Sequence, residues 1–209
     1  TMITAEHRRF LQNAQIPVVV TGQNTKYANC VYHDDYGAGK AMGELAASLS
    51  GKHKHIAYIG VTREDKAAGA AREDGFRAGM RAAGRELEED YIRISAFRAE
   101  SGYEAALSLL KEEKDIDVIS CATDTIAAGA IRALRARGIS LAQGIAVTGF
   151  GDNQLLKAAT GGIPTVHFGY KTSGIRSAEL LLDVIERGEK IPVEMKLGFR
   201  LIEGNSAQN

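Results

Sequence analysis

Side chains capable of ligand chemistry follow several short apolar runs. Arg72 comes after the run "YIGV", and Phe97 comes after "IRIS". Two further runs are followed by small or oxygen-bearing residues, namely Thr123, Asp124, Gly151, Asp152 and Asn153. The planar fork of arginine suits two adjacent oxygens, and an aromatic face covers the C–H face of a sugar ring. This set therefore favours a polyhydroxy ligand.

Arg72 occupies an unusual position on a predicted helix. If the helix starts near Lys66, Arg72 shares one face with Gly75, Phe76 and Gly79, because residues three, four and seven apart lie together. Glycines on this inward face predict close approach of the helix to a sheet. A cation there, close to the helix N-terminus, is disfavoured by the helix dipole unless oxygen atoms meet it. Arg72 is thus predicted to bind a ligand at the rim of an apolar region.

The elements that position these residues alternate along the chain. Predicted strands cover 16–20, 55–60, 91–94, 116–122 and 144–150, and predicted helices cover about 35–50, 66–84, 100–114, 124–137 and 171–188. Such alternation predicts an α/β fold with open parallel sheets and helices on both faces. Ligands of such sheets bind beyond the carboxyl ends of the strands, where the residues above lie.

Other interpretations of the same residues remain open. Capping of a helix also explains Asp124, and Phe97 also fits a core position. The segment "GAGK" at 37–40 lacks the Walker pattern, since Asp34 and Ala41 stand where glycine and Ser or Thr are required. Capping of a helix by Asp34 or Asp35 explains it better. No histidine cluster has the spacing of a zinc site, so neither metal nor cofactor is predicted.

Composition narrows the functional classes. The chain has 209 residues, 44% hydrophobic and 25% charged, with 26 basic and 26 acidic residues. This balance gives no basic footprint for nucleic-acid binding by this chain alone. Cys30 and Cys121 are far apart and predicted to be buried free thiols. No apolar run is long enough to span a membrane, and the cytoplasm is the expected compartment.

Longer motifs resemble a known family. The segments "VYHDDYGAGKAMGELAASLSGKHKHIAYIG", "AAREDGFRAGMRAAG", "CATDTIAAGAIRALRARGISLAQGIAVTGFGDN" and "TVHFGYKTSGIRSAELLLDVI" resemble the effector-binding core of bacterial repressors of the lactose and galactose repressor family. Order and spacing match from about 16 to 204, and "GFGDN" is most similar to the sucrose-operon branch. The resemblance implies a two-lobe fold like that of periplasmic binding proteins, which closes on a sugar or sugar phosphate.

The resemblance also implies roles for individual residues. Arg72 matches an arginine that grips effector hydroxyls, and Phe97 matches an aromatic that stacks on the sugar. Asp124 lies beside an effector-contacting position, so Thr123 is an alternative contact. Gly151 stands where many members have a ligand-gripping acid, so the hydrogen bonding to the effector differs here or Asp152 substitutes. No catalytic residue is expected.

By resemblance, the N-terminal lobe takes 1–31 plus 167–191, and the C-terminal lobe takes 32–166 plus 192–209. The helix-turn-helix head and the opening strands of the first lobe are expected to be missing from this chain. A homodimer is expected, with contributions from the helix 125–137, whose small residues Ala127, Ala128 and Ala130 allow close approach, and from Leu155 and Leu156. Operator DNA would be bound through the missing head.

Two other functions compete with a repressor core. An exported sugar-binding protein of a transport system has the same architecture, although unpaired thiols disfavour export. An enzyme on a related α/β fold is the third class. Against it, the chain has no glycine fingerprint after its first strand and no nucleophile elbow.

Overall fold

The chain folds into two open sheets. The computed structural model describes residues 2–112, 115–141, 144–188 and 191–204. The first sheet is parallel, in the order β1 (Val19–Thr21), β2 (Asn29–His33) and β8 (Glu194–Leu197). The second has the order β4 (Ile92–Ile94), β3 (His55–Gly60), β5 (Ile116–Cys121), β6 (Ala146–Phe150), β7 (Thr165–Phe168) and β9 (Phe199–Ile202). Its strands pair in parallel, apart from β9 against β7.

The helices connect and cover these strands. They are α1 (Ala5–Asn13), α2 (Asp35–Leu49), α3 (Arg72–Ala82), α4 (Ala99–Lys111), α5 (Asp124–Ala136), α6 (Gln154–Thr160) and α7 (Tyr170–Arg187). A π-helical turn at Lys66–Ala71 leads directly into α3. The predicted two-lobe α/β fold is confirmed, although residues 113–114 of one predicted helix lie outside the described residues. The strands β2, β7, β8 and β9 were not among those predicted.

We call β1, β2, β8 and α7 the small lobe, and the six-stranded sheet with α2–α6 the large lobe. The large lobe holds the main core, in which Tyr58, Phe76 and Leu134 are fully buried. The core of the small lobe consists of Val31, Leu180 and Val184. Both cysteines are free and buried, as predicted. None of the described helices is both long and apolar enough to cross a membrane.

Strand pairing moves the lobe boundaries away from the predicted positions. Tyr32 and His33, predicted in the C-terminal lobe, complete β2 in the small lobe. The segment 194–197 was also predicted in the C-terminal lobe. It belongs to the small lobe instead, because it pairs with β2 as far as Leu197. His167 and Phe168, predicted in the N-terminal lobe, pair with β9 in the large lobe. Residues 205–209 of the predicted C-terminal lobe lie outside the described residues.

Close backbone contact joins α2 to α3. A Cβ on Gly75 would lie 2.1 Å from the Tyr36 carbonyl oxygen, and one on Gly79 would lie 2.0 Å from that of Lys40. The predicted close approach therefore exists, but the prediction of a sheet as partner is wrong. Glycines on both helices make the contact, since Gly39 in turn meets the backbone of α3.

The same arrangement joins α4 to α5. A Cβ on Gly129 would lie 2.0 Å from the Ala99 carbonyl oxygen. Ala127 and Ala130 are fully buried in the main core. The prediction that these two alanines contribute to a contact with a second subunit is therefore wrong, because they pack inside their own lobe. Leu156 is buried as well, whereas Leu155 is 83% exposed.

Candidate ligand-binding site

A cavity of about 400 Å³ lies between the two lobes. The large lobe contributes five of the six predicted ligand residues, namely Arg72, Phe97, Thr123, Asp124 and Gly151. From the small lobe come Gly22 and Gln23, which follow β1, and Tyr170, which opens α7. The cavity therefore forms where the loops after parallel strands meet, as expected for open α/β sheets.

Arg72 is the most constrained of these side chains. Its Nε donates a hydrogen bond to Oδ1 of Asp35 at 2.7 Å, and its Nη1 donates to the Ala122 carbonyl oxygen at 2.7 Å. The guanidinium carbon lies 5.1 Å from the ring centroid of Phe150 and 5.0 Å from that of Phe168. The side chain is 11% exposed, so an arginine head lying free in water is excluded.

This geometry leaves donors for a ligand. A guanidinium has five N–H groups, and the contacts with Asp35 and Ala122 use one each. The remaining N–H groups of Arg72 make no hydrogen bond within the part of the chain that the structure describes. Because Asp35 already balances the charge, the spare donors fit hydroxyl oxygens as well as they fit an anion.

The π-helical turn before α3 determines where Arg72 stands. Oδ1 of Asp65 accepts hydrogen bonds from the backbone of Ala67 and Ala68 at 3.0 and 2.9 Å, which starts the turn. The Ala70 amide then donates to the Asp65 carbonyl oxygen, five residues back, at 2.8 Å. This wider turn gives Arg72 a different angular position from the one in an uninterrupted α-helix.

Asp124 has a structural role that the sequence did not reveal. Thr123 caps α5, since its side chain accepts from the amide of Ile126, so the interpretation of Asp124 as the cap is wrong. Asp124 instead accepts from the Thr165 hydroxyl and from the Asn153 amide, both at 2.7 Å. It is 4% exposed. Burial raises its pKa above the usual value for aspartate, although these two hydrogen bonds oppose the rise.

The turn at 151–153 separates two predicted site residues. Gly151 lines the cavity at φ 137°, a conformation that favours glycine. Asp152, at φ 50°, is not among the lining residues. Its carboxylate contacts Nδ1 of His167 at 2.9 Å. The structure thus does not bring Asp152 into this cavity.

Sequence reasoning missed three residues of the site. Asp35, the partner of Arg72, was considered only as a helix cap, and the cap is in fact Asp34, whose side chain accepts from the Gly37 amide. Gln23 and Tyr170 each follow a strand, β1 and β7. Ligands bind beyond the ends of strands, so both residues could have been predicted if "TVHF" had been recognised as a strand.

The fold and the cavity define a two-lobe domain with a cavity of ligand size between its lobes. Residues 46–207 match the periplasmic binding protein-like domain family, and the chain belongs to that family. Its relatives are repressors of the lactose repressor family, so the resemblance noted in the sequence is confirmed.

Individual relatives cover most of the chain. It is 26% identical over 202 residues to the sucrose operon repressor of Staphylococcus xylosus, covering 95% of this chain and 61% of the repressor. It is 28% identical over 198 residues to the transcriptional regulator CelR of Thermobifida fusca, covering 93% of this chain and 57% of CelR. A solved complex of CelR with cellobiose superposes with a TM-score of 0.85 at 27% identity, covering 96% of this chain and 62% of that one. The chain therefore spans less than two thirds of the length of these relatives.

Proposed function

We propose that this chain is the sugar-sensing and dimerisation domain of a bacterial transcriptional repressor of carbohydrate utilisation. The observation that carries the proposal is the position of Arg72, which lines a cavity between two lobes, is only 11% exposed at its side chain and keeps spare N–H donors. Phe97 also lines the cavity and is 48% exposed, and an aromatic ring suits the C–H face of a sugar. The repressors and regulators among the relatives support this assignment.

Ligand binding in this cavity favours a closed arrangement of the lobes. Arg72 and Phe97 belong to the large lobe, whereas Gln23 and Tyr170 belong to the small lobe. A sugar that contacts both sets binds more tightly when the lobes are close, and it shifts the population by that difference in affinity. The chain crosses between the lobes three times, at Asp34, Gly169 and Gly198. These connections would bend during closure.

The effect on DNA requires partners outside this chain. We propose that the domain works as a homodimer in the cytoplasm and that an N-terminal helix-turn-helix head binds operator DNA, since paired heads bind two half-sites. Leu155, at 83% exposure, remains available for contact between subunits. The domain itself performs no reaction in this proposal. An exported sugar-binding protein is the alternative, and the repressors among the relatives disfavour it.

Calorimetric titration of the Arg72→Lys variant tests the proposal. Lysine keeps the charge but loses the fork and the cation–π contacts of the guanidinium with Phe150 and Phe168. The wild type and the variant are titrated with glucose, fructose, sucrose, cellobiose, trehalose and their phosphates. Losing one or two charge-assisted hydrogen bonds, each worth about 1.5–3 kcal/mol, predicts a fall in affinity of about ten- to a thousand-fold.

A matched exchange on the surface serves as the control. Arg176 pairs with Glu179 on α7 and its side chain is 53% exposed, so Arg176→Lys is expected to leave binding unchanged. Circular dichroism and thermal melts check that each variant is folded, because the pair of Arg72 with Asp35 is buried. An Arg72→Lys affinity within about threefold of the wild type would refute the ligand role of Arg72.

A further inference from the structure

A second compartment adjoins the ligand cavity on the side of the small lobe. It measures about 290 Å³ and shares Gly22, Gln23 and Ala67 with the first cavity, so the two spaces lie side by side. Its other walls come from the ends of β2 and β8, the start of α2 and the π-helical turn. Small-molecule sites commonly measure about 300–1,000 Å³. The first cavity alone, at about 400 Å³, is therefore near the lower limit, and the pair offers room for a longer ligand.

Each compartment presents an exposed aromatic ring. Phe97 and Tyr170 line the first cavity and are 48% and 58% exposed. Tyr36 lines the second compartment and is 49% exposed. The rings of tyrosine and phenylalanine cover apolar surfaces, such as the C–H face of a sugar ring. Each compartment therefore offers at least one aromatic ring on which a sugar unit can stack.

His33 adds a polar group to the wall of the second compartment. It is 7% exposed, and its Nε2 makes no hydrogen bond within the described residues. Its ring lies 4.8 Å from that of Phe168 and 5.5 Å from that of Tyr170. Burial lowers the pKa of His33. The nearby Asp35 carboxylate and a hydrogen bond to the Gly169 backbone both favour the protonated form and so oppose this lowering. Buried polar groups in proteins normally have a partner, but this nitrogen has almost no exposed surface, so His33 lines the compartment without opening Nε2 to it.

The charges on the walls select against an anion. The carboxylates that line the two compartments are Asp34, Asp35, Asp65 and Asp124, and the cationic groups are Arg72, Lys66 and Lys196. Arg72 already pairs with Asp35, and Lys196 lies 3.4 Å from Asp34. No surplus of positive charge is left to balance a phosphate, and a desolvated phosphate without partners is costly.

We propose that the ligand is an uncharged saccharide of at least two rings, with one ring in the Arg72 cavity and the next in the compartment formed by Tyr36 and His33. This inference rests on the proposed sugar-sensing function and specifies the size and charge of the ligand. Arg72 lines the first cavity, and the second compartment adds the exposed ring of Tyr36 as a stacking face.

Calorimetry with saccharides of graded length tests the inference. The probes are glucose, cellobiose and cellotriose in one series, fructose, sucrose and kestose in another, and glucose 6-phosphate and sucrose 6-phosphate as charged probes. We expect a di- or trisaccharide to bind at least tenfold more tightly than its monosaccharide, and the phosphates to bind more weakly than the neutral sugars. Equal affinity for the monosaccharide, or tighter binding of a phosphate, would overturn the inference and leave the proposed function intact.

The Tyr36→Ala variant locates the second ring. It is expected to lower the affinity for the longer saccharide about tenfold, equivalent to about 1.4 kcal/mol, and to change monosaccharide binding less than twofold. Tyr36→Phe keeps the ring and is expected to retain the affinity. The control is Phe10→Ala, an aromatic on α1 that is 62% exposed and lies in neither compartment. Equal losses for short and long saccharides would refute the second subsite, and failure of every saccharide to bind would overturn the proposed function itself.

Discussion

The large and small lobes differ in how much apolar side chain each of them buries in its own core. The large lobe buries many side chains completely, including Tyr58, Phe76 and Leu134. The small lobe has three strands, and its buried core is Val31, Leu180 and Val184. Its long helix α7 keeps Leu182 and Ile185 more than half exposed. Since stability follows buried apolar area, the small lobe should open at a lower free energy than the large lobe.

This difference matches the division of the ligand site. Arg72 is fixed by the large lobe through Asp35, Ala122 and two phenyl rings. Gln23 and Tyr170 reach the cavity from the small lobe. A rigid half that positions donors and a looser half that moves onto the ligand suit a sensor, because binding elements that move come from the less stable parts of a fold.

A matched pair of leucine truncations tests this difference and should have the largest effects. Leu134→Ala removes a fully buried side chain of the large lobe and should lower the free energy of unfolding by about 2–5 kcal/mol. Leu180→Ala removes a buried side chain of the small lobe, and should increase amide hydrogen exchange in β1, β2 and β8 while β3 and β5 stay protected. Equal loss of protection in both sheets would show that the lobes unfold as one unit.

The sequence predicted the strands of the large sheet well for a physical reason. The runs at 55–60 and 116–121 are mostly apolar and are buried along nearly their whole length, because helices cover both faces of that sheet. β8 and β9 are different, since exposed and half-buried residues alternate in them around Gly198. Alternation of this kind itself indicates a half-buried strand, but the predicted strands rest on short apolar runs, so β8 and β9 were missed and the lobe boundary there was misplaced.

The site was predictable in its residue types but not in its connections. Arg72 was identified from a local helical face. Its partner Asp35 is distant in sequence, and no local pattern joins the two residues. The same holds for Asp124, whose hydrogen bonds to Thr165 and Asn153 depend on how β6 and β7 pair. Long-range pairing of polar side chains is set by tertiary packing, which sequence periodicity does not encode.

Gly151→Asp tests whether an acidic side chain at this position in the large-lobe wall weakens ligand binding. A Cβ at this position would lie 3.5 Å from Oδ2 of Asp124, and the backbone is at φ 137°. The new carboxylate would face a like charge in a strained backbone, so ligand affinity should fall by about 1–3 kcal/mol. Gly151→Ala, titrated in parallel, separates strain from charge and should lose less. Unchanged or tighter binding by Gly151→Asp would place this position outside the ligand contact.

Asp124→Asn tests the cost of a buried charge in the large lobe. Burial raises the pKa of Asp124, so its contribution to stability is fully present below the unfolded pKa of about 3.9 and is lost as pH rises through the folded pKa. Asparagine can keep both contacts, accepting from the Asn153 amide and donating to the Thr165 hydroxyl. Urea unfolding from pH 4 to pH 7 should therefore show the variant gaining stability relative to the wild type. A constant difference across this range would mean that the pKa of Asp124 is not raised.

The smallest effects come from two buried hydroxyls, one in each lobe. Tyr58 in the large lobe and Ser173 in the small lobe have side-chain oxygens that make no hydrogen bond within the described residues. Removing an unsatisfied buried polar group avoids its desolvation cost, so Tyr58→Phe and Ser173→Ala should each stabilise their surroundings by about 1 kcal/mol. Tyr58→Phe should raise the urea midpoint of global unfolding, whereas Ser173→Ala should slow hydrogen exchange in α7 and leave the global midpoint unchanged. If Ser173→Ala raised the global midpoint as much as Tyr58→Phe, opening of the small lobe would not be separate from global unfolding.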